Sequence, residues 1–174
     1  MRPSVPLTGN ERLLGEKEII VSKTDLTGKL TYANKAFLDI SGFAEEEVLG
    51  EQHNCIRHPE MPRAVFKFLW DRLGAGEEVF AYVVNQCKNG DHYWVLAHVT
   101  PSKDPQGNVV GYHSNRRAVD KAVVDNVISP VYSSLCKIEG AAASPKAGLE
   151  ASMEALGDFV DEKGGNYDQW LFSL

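Results

Sequence analysis

The sequence predicts an α+β domain: a five-stranded antiparallel sheet with helices on one face, plus C-terminal helices. Three observations lead there. Asn89-Gly90 between two β-rich runs is the strongest short hairpin signal. Met61, Val65, Phe66, Leu69, Trp70 and Leu73 recur at the spacing of one helix face. Beyond residue 119, apolar residues repeat at helical intervals and the strand signals stop.

The elements follow in order. Residues 1–17 read as a polar arm broken by Pro3, Pro6 and Gly9. Ile19-Ile20-Val21 opens a strand, Thr24-Asp25-Leu26-Thr27-Gly28 turns, and Lys29-Leu30-Thr31-Tyr32 returns. Asn34 is placed to cap a short helix through Phe37 and Ile40, which Gly42 ends. A second short helix over 44–49 stops at Gly50. The central helix is expected over 60–73, with Pro62 tolerated in its first turn. Strands at 79–85, 93–100 and 109–116 make a meander, joined at Lys88-Asn89-Gly90-Asp91 and Asp104-Pro105-Gln106-Gly107. Val124, Val127, Ile128, Val131 and Leu135 form an amphipathic stripe bent near Pro130. Residues 140–145 read as a linker, and Leu149, Met153, Leu156 and Val160 as a short heptad-like seam. The chain ends in an apolar tail from Asn166. The division expected is therefore an arm at 1–17, a sheet domain at 18–118 and a helical extension at 119–174.

Composition narrows the function. With 174 residues and 43 % apolar content, the chain can bury a core. A net charge of −6 leaves no footprint for nucleic acid. Cys55, Cys87 and Cys136 lie far apart and without metal-ligand spacing, as reduced thiols do. The first residues lack the apolar core of a signal peptide, and no run reaches the ~20 apolar residues of a membrane span. A cytoplasmic setting follows. Neither a nucleophile elbow nor a P-loop is present, and Glu45-Glu46-Glu47 reads as a solvated helix face, so an enzyme is not expected.

Four segments carry a family resemblance: Thr24-Asp25-Leu26-Thr27-Gly28, Tyr32-Ala33-Asn34, the run from His53-Asn54 through Arg57-His58-Pro59-Glu60-Met61-Pro62, and Lys88-Asn89-Gly90-Asp91-His92-Tyr93-Trp94-Val95. With Gly111-Tyr112-His113-Ser114-Asn115-Arg116 they resemble the PAS domain of bacterial aerotaxis receptors, over residues 18–118. The resemblance implies the PAS fold and a sensor of redox state or oxygen that binds FAD. It carries the flavin-pocket roles onto Asn34, Arg57, His58, Trp70 and Asn85. It also implies a signalling partner such as a chemotaxis receptor or kinase. Nothing after residue 118 is long enough for that family's signalling module, so protein–protein contact is expected, and the apolar stripes of the arm or the C-terminal helices point to homodimerisation.

One strand departs from the family. Where the family carries Trp-x-Gly and then Lys-Asn-Arg, this chain has Val79-Phe80-Ala81 and Val84-Asn85-Gln86. An aromatic able to stack on the flavin ring and two cations able to hold a pyrophosphate are missing there. The alternative is a PAS binding or scaffolding module without flavin, working through its C-terminal helices. A heme pocket served by His53 or His58 is a third reading.

Overall fold

The computed structural model of the chain describes residues 5–174. Pro3, one of the three breakers expected in the arm, lies outside the described residues. Five strands form one sheet: β1 (Ile20–Thr24), β2 (Leu30–Ala33), β3 (Val79–Gln86), β4 (His92–Lys103) and β5 (Val109–Arg117). Their order is β2-β1-β5-β4-β3, antiparallel throughout. Between β2 and β3 lie α1 (Lys35–Ser41), α2 (Glu45–Val48), a 3₁₀ turn (His53–Ile56) and α3 (Arg63–Gly74).

Register decides which side chains share a face, because alternate residues of a strand point the same way. Ser22 pairs with Ser114, Ser114 with Val99, and Arg116 with Ala97. These residues therefore share one face with Val83 and Asn85 of β3, and that face looks toward α1–α3. Phe37, Val48, Ile56, Met61 and Val65 fill the layer between helices and sheet.

The central helix begins at Arg63, three residues later than the sequence suggests. Pro62 is its extended N-cap rather than part of the first turn. Met61 N–H bonds instead to the His58 carbonyl in a preceding turn.

Both sheet edges are guarded. On the β2 side, Leu30 exchanges backbone hydrogen bonds with Gly50 and Glu51. On the β3 side, Arg57 bridges Asn85, and the Tyr132 hydroxyl donates to the Tyr82 carbonyl at 2.6 Å. Such cover removes the unpaired backbone rows that make edge strands sticky. The arm is tied down too: Thr8 N–H donates to the Gly90 carbonyl, and Asn10 and Arg12 pair with His92. Gly90, at φ +94°, must be glycine here, since a Cβ would sit 2.1 Å from the Pro6 carbonyl oxygen.

The expected bend at Pro130 is a π-turn over Val124–Ile128, running without a break from α4 (Lys121–Val123) into α5 (Ser129–Ala141). Proline lacks an N–H and crowds the carbonyl four residues back; the wider turn gives it room. Residues 140 and 141 still belong to α5, so the linker shrinks to 142–144 before α6 (Pro145–Glu162). Gly148 lets α6 approach α5 closely, as a Cβ there would lie 2.6 Å from the Glu139 carbonyl oxygen. The apolar tail forms α7 (Tyr167–Phe172), capped by Asn166.

These helices pack on the outer side of α3. Arg63 bonds Glu139 at 2.9 Å, Arg72 bonds Asp168 at 3.0 Å, and Phe68 packs on Tyr167 with ring centroids 4.6 Å apart. Burial opposes ionisation of Glu139. The Arg63 side chain and the Ala64 and Arg63 backbone N–H groups outweigh it and hold the carboxyl below its ordinary range. Among the described residues no helix is long and apolar enough to cross a membrane.

Candidate functional site

A cavity of about 280 Å³ opens between the inner sheet face and α3. One wall is helical and mostly apolar: Phe66, Leu69, Trp70 and Leu73. The other comes from the sheet and mixes Val83, Ala97 and Val99 with Ser22, Thr24, Asn85, Ser114 and Arg116. Gly28, Gln52, Trp70 and Tyr112 sit together at the rim; the Trp70 and Tyr112 rings meet edge to face at 5.2 Å.

The structure brings three of the five expected site residues to this cavity. Arg57 lines it, with Nη2 on the Met61 carbonyl at 3.0 Å and the guanidinium over the Phe66 ring at 4.4 Å. Trp70 lines it from α3 and is 41 % exposed. Asn85 lines it from β3, buried opposite its cross-strand partner Tyr93.

Asn34 and His58 are not among the lining residues. The Asn34 amide oxygen accepts from Phe37 N–H and Val21 N–H, and its Nδ2 donates to the Ile19 carbonyl. That is the helix-capping role its position before α1 predicts. His58 is buried, accepts from Glu60 N–H through Nδ1, and packs on the His92 ring at 5.6 Å. Burial, the dominant influence, lowers its pKa and favours the neutral ring.

Arg116 is the residue that reading the sequence missed. It was visible only as the end of the Gly111–Arg116 match, with no role attached. The available signal was an arginine in phase with Tyr112 and Ser114 on a strand, three alternate positions facing one way. In the structure Arg116 is 3 % exposed, and its Nη2 donates to Ser22 Oγ at 3.0 Å and to His53 Nε2. An imidazole nitrogen that accepts from a guanidinium belongs to a neutral ring. Burial first, and the Arg116 charge second, push the His53 pKa down to about 3. His53 Nε2 is thus occupied, and His58 does not line the cavity, an arrangement that suits heme ligation poorly.

Among the described residues four buried polar atoms of the cavity lining have no hydrogen-bond partner: Thr24 Oγ1, Asn85 Nδ2, Ser114 Oγ and Arg116 Nη1. Buried polar groups in folded proteins are nearly always paired, so a cluster of exceptions marks a place where something else supplies the partners. Arg57, Lys67 and Arg116 line the cavity, the Lys67 ammonium being held by the Asp71 carboxylate one turn along α3, and among the described residues no aspartate or glutamate lines it. Among the described residues no cluster could hold a metal ion.

Comparisons with known proteins agree with this architecture. The chain is 40 % identical over 123 residues to the aerotaxis receptor of Escherichia coli K12, covering 70 % of this chain and 24 % of the receptor. It is 30 % identical over 111 residues to phototropin-1A of Oryza sativa subsp. japonica, covering 63 % of this chain and 12 % of that protein. The chain therefore spans a quarter or less of these relatives. The light-state structure of the blue-light photoreceptor Aureochrome1 LOV superposes with a TM-score of 0.57 at 24 % identity, over 64 % of this chain and 89 % of that one. Residues 30–116 match the family model described as the PAS fold, a stretch that runs from β2 through α3 into β5 and holds most of the cavity lining, and the chain belongs to that family.

Proposed function

We propose that this PAS domain is a cytoplasmic sensor of redox state or oxygen that holds a flavin, FAD, in the cavity beneath α3. The observation that carries the reading is the pairing of an apolar slot with unpartnered buried polar atoms. A planar tricycle with a polar carbonyl edge has that shape and chemistry. Phe66, Leu69 and Trp70 would cover the ring, Asn85 and Arg116 would donate to its carbonyl edge, and Arg57 and Lys67 would meet the phosphates. The flavin supplies the reversible electron acceptance that a redox sensor needs. The resemblance to aerotaxis receptors supports this choice of ligand, and the 40 % identity to one of them adds to it.

The role is signalling rather than catalysis. The signal passes by protein–protein contact to a partner such as a chemotaxis receptor or kinase, and a homodimer is one form that contact takes. Helix α3 offers the route, because it lines the cavity on one side and bonds α5 and α7 on the other. A visible spectrum of the purified protein tests the ligand. Flavin bands, or tight uptake of added FAD, are expected, with retention weakened at least tenfold by Arg57→Ala. A colourless protein that takes up neither FAD nor FMN overturns the flavin reading and favours the scaffolding module.

A further inference from the structure

Among the described residues nothing balances the charge at the inner end of the cavity. Arg116 engages Ser22 and His53 through Nη2 alone, and Nη1 has no partner. The groups that face it are uncharged. His53 is neutral, burial raises the pKa values of the Tyr93 phenol and the Cys55 thiol, and the Phe37 ring lies 5.8 Å from the guanidinium carbon. The other cationic side chains of the lining, Arg57 and Lys67, offer it no counter-ion, and Lys67 is itself paired with Asp71. A guanidinium stays protonated even when burial pulls on it, and a buried cation without a counter-ion is costly. Such an arrangement weakens the empty protein and is relieved when a ligand brings negative charge.

We infer that the inner end of the cavity is an anion-recognition site in which Arg116 receives the negatively polarised or ionised edge of a planar heteroaromatic ligand. The inference rests on the flavin reading only for the identity of that ring. In a flavin, loss of the N3 proton to solvent leaves negative charge spread over the flanking carbonyl groups, and Arg116 stabilises that form.

Riboflavin is the probe, because it carries the ring without a phosphate for Arg57 or Lys67. Absorbance titration of the bound ring should give an N3 acid constant at least tenfold larger than in free riboflavin. Arg116→Gln should return it to within about threefold of the free value. Equal constants in wild type and Arg116→Gln overturn the assignment. The empty protein gives an independent readout. In Arg116→Met the charge is gone, and Ser22 Oγ and His53 Nε2, already 3.4 Å apart, can bond each other. Its Tm should rise by about 2–4 °C. A fall would make Arg116 a structural residue and overturn the proposal. A wild type that binds no riboflavin, together with a higher Tm for Arg116→Met, removes the flavin reading and upholds the anion site.

Discussion

Helix α3 has two neighbours that differ in how they meet charge. On its outer side, charged groups find partners across elements: Arg63 with Glu139, Arg72 with Asp168, Glu139 with Ala64 N–H. Single atoms are left over there too, Arg72 Nε, Ser152 Oγ and Asp168 Oδ1, but the charges of Arg72 and Asp168 meet. On its inner side, across the cavity, Thr24, Asn85, Ser114 and Arg116 keep polar atoms without partners among the described residues, and the Arg116 charge meets no carboxylate. The difference teaches that cohesion and ligand capacity lie on opposite faces of one helix. Paired groups stabilise the protein, whereas buried groups left unpaired cost stability.

The comparison is most exposed to pH. His53 is neutral in the fold with a pKa near 3, against about 6.5 in an unfolded chain. As pH falls below 6.5 the unfolded chain takes up the proton and the folded one does not. His53 therefore contributes stability that is present above pH 6.5 and is lost as pH falls toward 3. By pH 4 the loss should be about 3 kcal/mol, read as a steeper decline in urea stability for wild type than for His53→Gln. Parallel declines would mean that the cavity floor is wetter than described.

Next in size is the paired face. Glu139→Ala strands Arg63 and the Ala64 N–H, and should lower unfolding free energy by about 2 kcal/mol in a denaturant titration. A change below about 0.5 kcal/mol would place these bonds among inconsequential surface pairs and erase the contrast. The smallest effect belongs to the cavity. Ser114→Ala removes a hydroxyl that has no partner, so the empty protein should change by less than about 0.5 kcal/mol. A larger loss would show that Ser114 is already satisfied.

Much of the fold was legible because local chemistry and tertiary packing agree. Asn89-Gly90 and Asp104 to Gly107 make the turns their side chains favour, and Asn34 caps α1 as its position suggests. The site was legible only in part. Asn34 and His58 stand in matched segments, but the Asn34 amide and His58 Nδ1 bond nearby backbone and neither residue lines the cavity. Motif position alone does not reveal that. Arg116 escaped for the converse reason: its role depends on strand pairing with Ile20 and Ala97, residues far away in sequence. The boundary at 140–145 shifted because Gly140 has open space around it and continues the helix, although its composition resembles a linker.

The hydroxyl of Tyr132 on the Tyr82 carbonyl has a consequence for solubility. Strand β3 is the last of its sheet, and its outer backbone is a template for another strand. Any signal that lifts α5 away removes that cover and presents a ready surface for self-association. If the C-terminal helices move out to meet a partner, as proposed, the same excursion risks aggregation, which favours brief release or immediate capture.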